Sequence, residues 1–116
     1  MRTLIALLLL TTPLHAQEVD LELVLLADAS GSITQEEIDF QRESTATAIT
    51  DPAVLQAISN TLTGSIAVTY VEWAANQATV VDWTIIDSPE TAEAFAAALL
   101  GPPALPPEGT PSATPS

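Results

Sequence analysis

LELVLLADASGSI, from Leu21 to Ile33, reads as a buried strand that opens into a loop of alternating oxygen side chains. Leu21 to Ala27 is apolar except at Glu22, the pattern of a parallel strand covered on both faces. Asp28, Ser30 and Ser32 then leave the strand's carboxyl end together, where open α/β sheets bind their ligands. One carboxylate and two hydroxyls form a hard-oxygen donor set of the kind a divalent cation such as Mg²⁺ takes. The same three residues also suit a plain strand-to-helix turn, bonding only to backbone amides.

Thr34-Gln-Glu-Glu37 follows as a capping box and predicts a helix from Thr34 to about Ile49. Thr50-Asp51-Pro52 stops it, and Pro52 opens a short second helix over Ala53 to Asn60. After Gly64, Ser65–Trp73 and Thr79–Ile86 have strand composition and flank a turn over Ala74–Gln77, which predicts an antiparallel hairpin. Trp73 and Trp83 at this spacing are expected to fill the core or pair across the strands. Asp87 or Ser88, followed by Pro89, starts a third helix through Ala92–Leu100.

The two ends differ in character from this region. Met1-Arg2, the apolar run Leu4–Leu10 and Leu14-His15-Ala16 read as a signal peptide over residues 1–16. That run is too short to span a bilayer, so no transmembrane anchor is expected and a periplasmic or secreted location is. Six of the fifteen residues in 102–116 are Pro, which predicts an extended or disordered tail. The folded unit is therefore expected within residues 17–101.

Charge and residue usage exclude several functions. The chain has fifteen acidic residues and two basic ones, and Arg42 is the only basic residue after the signal segment. Nucleic acid and anionic lipid are poor partners for such a surface. There is no Cys, and the only His is His15. A thiol nucleophile, a Ser-His-Asp triad and a structural zinc site are thus excluded for residues 17–116. A haloacid-dehalogenase-type phosphatase would need a second Asp where Ser30 stands. No enzyme activity is expected.

DASGSI after an apolar strand resembles the metal-ion-dependent adhesion site of von Willebrand factor type A (vWA) domains. VDLELVLLADASGSI, DPAVLQAI, GSIAVTYVEWA and VVDWTII together resemble one branch, the exported bacterial vWA-like family called domain of unknown function 1194. The resemblance implies a Rossmann-like α/β fold with helices on both faces and sheet order 3-2-1-4-5-6. It implies that Asp28, Ser30 and Ser32 form the first metal loop and that Thr110, in Glu108-Gly109-Thr110, supplies the second. The cofactor implied is Mg²⁺, or Mn²⁺ or Ca²⁺, and the partner is a protein offering an acidic group.

The family's third-loop Asp and later strands have no counterpart here, so only the amino-terminal half of the fold is expected: central strand, helix, antiparallel hairpin, helix. A one-base deletion after the Thr110 codon would turn a family-like Gly-Thr-Ala-Ile-Gly-Asp continuation into Gly-Thr-Pro-Ser-Ala-Thr-Pro. The sequence 109–115 reads so, which makes a frameshifted or prematurely ended copy one expectation and a natural Pro-rich terminus the other. A functional metal-dependent binding module and an inactive fragment, with weak metal affinity at most, are the corresponding alternatives.

Overall fold

The computed structural model describes residues 17–101. The expected signal segment 1–16 and Pro-rich tail 102–116 lie outside the described residues. Six elements follow one another: β1 (Leu21–Asp28), α1 (Gln35–Ile49), α2 (Pro52–Ser59), β2 (Ile66–Trp73), β3 (Gln77–Ile86) and α3 (Pro89–Leu99). They make a small α/β unit with a three-stranded mixed sheet in the order β1-β2-β3.

Local chemistry sets the helix starts. Thr34 caps α1 through a reciprocal capping box, its Oγ1 accepting the Glu37 amide while Glu37 Oε2 accepts the Thr34 amide. Asp51 caps α2 by accepting the Ala53 amide, and Pro52 occupies the first turn, where its missing N–H costs nothing. Ser88 caps α3, and its hydroxyl accepts the Thr91 amide. That helix begins at Pro89, where the Ser88-Pro89 start signal predicts it.

Parallel pairing joins β1 to β2 from Leu21↔Ile66 to Asp28↔Trp73. Antiparallel pairing joins β2 to β3, and β3 begins at Gln77, which pairs with Trp73. The turn is thus shorter than the Ala74–Gln77 stretch expected to form it. Two register shifts interrupt the hairpin, between Val68 and Tyr70 and between Tyr70 and Val71. The buried Thr69 hydroxyl donates to the Val81 carbonyl at 2.7 Å there, satisfying an acceptor in the irregular stretch.

Strand alternation divides the sheet into two unlike faces. Leu23, Leu25 and Ala27 of β1 and Ile66, Val68 and Tyr70 of β2 meet Ala46, Ile49, Ile58, Phe95 and Leu99 from the helices in one core. Each large apolar side chain buried there contributes about 1.5–3 kcal/mol. Helices α1 and α3 lie side by side, and α2 packs Leu55 and Ile58 into the same cluster. All three helices of the described residues therefore serve one face, where the family resemblance implies helices on both. Val24 and Leu26, on the other face, are largely exposed.

The two tryptophans depart from expectation for this reason. Trp73 is 40% and Trp83 54% exposed, and Trp73 faces Gln77 rather than Trp83 across the hairpin. Both are surface aromatics.

Candidate metal site at the end of the first strand

The chain leaves β1 under backbone control. The Ala29 amide donates to the Trp73 carbonyl at 2.9 Å, carrying the parallel pairing one residue past Asp28. Ser30 then turns the chain, its carbonyl accepting the Ile33 amide at 2.8 Å. Thr34 caps α1 directly afterwards.

Asp28 folds back onto this turn. Its Oδ1 accepts the Ser30 amide at 2.9 Å, an Asx-turn that fixes the carboxylate at the strand end. The Ser30 hydroxyl, with help from that amide, holds the Asp28 carboxyl below its ordinary value of 3.8, against a smaller opposing effect of burial. Asp28 is consequently an anion at neutral pH. An ionised carboxylate offers about four lone-pair positions, so acceptor capacity remains beyond the Ser30 bond.

The structure thus brings Asp28 and Ser30 together, both half-buried, and places Ser32 on the exposed side of the same turn. Thr110 lies outside the described residues. A further residue supports the loop. Gln41, on α1, donates through Nε2 to the Asp28 carbonyl at 2.9 Å and so positions the strand end. Nothing local in the sequence signals it, because the two residues meet only once α1 lies along β1.

Tested as a cation site, the loop fits in donor type and is sparse in donor number. All three candidate side chains present hard oxygens, and only Asp28 brings charge. Among the described residues no three His, Cys, Asp or Glu side chains gather closely enough to hold a metal. A cation here would draw on hydroxyls and water for most of its shell, as Mg²⁺ commonly does. The positive end of the α1 dipole, which points at the loop, works against it.

Fold and loop together define a class: a small α/β unit with an acidic, hydroxyl-rich loop at the carboxyl end of its parallel strand. Within that class the sequence is specific. A family described as "Protein of unknown function (DUF1194)" matches residues 18–112, and the chain belongs to it. The match covers all six elements and the Asp28–Ser32 loop. No curated protein and no solved structure matches the chain.

No helix among the described residues is long and apolar enough to cross a membrane.

Proposed function

We propose that this chain is an exported, vWA-like binding module rather than an enzyme. Asp28, Ser30 and Ser32 hold a divalent cation, Mg²⁺ or else Mn²⁺ or Ca²⁺, which engages an acidic group on a protein partner. Thr110 is the second-loop donor in this reading. The observation that carries it is the Asp28 carboxylate, ionised and fixed by Ser30 at the carboxyl end of the parallel strand. The sheet order also supports it, since β3-β2-β1 is the first half of the 3-2-1-4-5-6 order of vWA domains. A cation with few protein ligands keeps open positions, which a partner's carboxylate can fill.

The competing reading is a fragment without a complete metal site. It is favoured by the presence of a single candidate carboxylate in the loop. Thermal unfolding of the full chain under Mg²⁺ titration separates the two. A site with a dissociation constant on the order of millimolar stabilises the fold by about 1.4 kcal/mol at ten times that concentration. The binding-module reading requires that this stabilisation vanish in Asp28→Ala and weaken in Ser32→Ala. Cooperative unfolding that ignores all three cations overturns it.

A further inference from the structure

Two consecutive residues of α1 reach the carboxyl ends of two adjacent strands. Gln41 donates through Nε2 to the Asp28 carbonyl of β1, and Arg42 forks onto the Glu72 carboxylate of β2. The register makes these targets neighbours, since Ala27 pairs with Glu72 and Asp28 with Trp73. Successive helix residues point about 100° apart, so side chains one position apart can serve two strands at once.

The Asp28–Ala29 peptide is held at both of its polar atoms. Its carbonyl accepts from Gln41 at 2.9 Å, and its N–H donates to the Trp73 carbonyl at 2.9 Å. A planar peptide held in this way cannot turn without breaking one bond or both. It is the unit from which the Asx-turn starts, so its plane decides how the Ser30 amide meets the Asp28 carboxylate. The hold also brings no net charge to the loop. Gln41 is a neutral donor, and the charge of Arg42 is met by Glu72. A Lys in place of Gln41 would grip the same carbonyl but set a positive charge against a bound cation.

We propose that Gln41 is a positioning residue that sets the cation affinity of the Asp28–Ser32 loop by gripping the Asp28–Ala29 peptide, with the Arg42–Glu72 fork fixing the helix that carries it. This rests on the binding-module reading above. Residues that orient metal ligands without touching the metal commonly change its affinity by about 10–100-fold.

Amide exchange of the full chain, followed by NMR without metal, is the first test. Gln41→Leu keeps the bulk of the side chain and removes the donor. The Ala29 and Ser30 amides are then expected to exchange roughly three- to tenfold faster, the worth of one hydrogen bond. Val68, buried in β2, reports global opening and is expected to change less. Gln41→Lys restores a donor, so exchange should return toward the wild-type rate. Mg²⁺ titration, read on the Ser30 and Ser32 amides, is expected to show about tenfold weaker binding in Gln41→Leu and no recovery in Gln41→Lys. Unchanged exchange at Ala29 and Ser30 in Gln41→Leu, or a change confined to Val68, overturns the proposal. So does exchange in Gln41→Lys as fast as in Gln41→Leu, or equal Mg²⁺ affinity in the wild type and Gln41→Leu. A wild-type chain whose amides ignore Mg²⁺ overturns the binding-module reading and the affinity claim with it, whereas the metal-free exchange separately decides the hold on the loop.

Discussion

Arg42 and Glu72 meet through two parallel hydrogen bonds, Nε to Oε2 and Nη2 to Oε1, each 2.7 Å long. They join α1 to β2 across thirty residues of sequence. Their side chains are only 17% and 11% accessible, so the pair is shielded from solvent and salt. The hydrogen-bonded Glu72 carboxylate raises the Arg42 pKa above its already high ordinary value. The planar fork matches a carboxylate in two places at once, which a lysine ammonium does not.

Removing the cation leaves a carboxylate stranded beside the core. Arg42→Ala is expected to cost about 1–3 kcal/mol, between the values typical of exposed and fully buried pairs. Arg42→Lys should recover less than half of that loss. Urea unfolding of both variants, with Glu72→Gln completing a double-mutant cycle, measures it. A coupling near zero would show that the pair only decorates the helix–strand contact.

What the sequence made legible were features with local causes. The β1 run, the Thr34–Glu37 capping box, Pro52 opening α2 and the hairpin all announce themselves within a few residues, and the structure has them. The Asp28–Ser30 turn was legible for the same reason, since an Asx-turn closes over two residues. Arg42–Glu72 and Gln41–Asp28 were not, because each needs α1 laid along the sheet before its partners meet. The exposure of the tryptophans is not legible either, because composition says that a strand has aromatics but not whether its face is covered. Trp73 and Trp83 lie away from the helix-covered core.

Tyr70 carries an unusual polar atom. Its ring is almost fully buried, and its hydroxyl has no hydrogen-bond partner among the described residues. Burial, with the nearby Glu72 carboxylate, pushes its pKa above 10.0. A buried hydroxyl left unpaired costs about 1–3 kcal/mol, and a phenyl ring of the same shape avoids that cost. Tyr70→Phe is therefore expected to be neutral or to stabilise the chain by up to about 1 kcal/mol. Denaturant titration tests this, and a loss of stability would reveal a hydrogen bond to the hydroxyl in solution.

Gly64 is the only described residue with positive φ, +67°, where the chain turns from α2 toward β2. A Cβ there would meet nothing closer than the Ser59 carbonyl at 3.8 Å, so any penalty for Gly64→Ala is conformational and not steric. The left-handed region costs a residue with a Cβ about 1–2 kcal/mol. Thermal unfolding should show that loss, and Gly64→Asn should show a smaller one. An unchanged midpoint for Gly64→Ala would mean that the turn readily adopts another shape.

Asp28 gives the prediction that bears most directly on the candidate site. Its folded pKa is depressed, so the unfolded chain binds the proton more readily than the folded one. Its contribution to stability is accordingly complete above the ordinary value of 3.8 and is lost as the pH falls below that value through the folded pKa. Carbon-detected NMR titration of the Asp28 carboxyl should show a midpoint below 3.8. Ser30→Ala removes the hydroxyl that does most of the lowering and should move the midpoint back up. Mg²⁺ should move it further down, because a cation competes with the proton for the same oxygens. A midpoint that Ser30→Ala leaves in place would assign the lowering to the backbone turn. One that Mg²⁺ leaves in place, at millimolar concentrations, would remove Asp28 from any cation site.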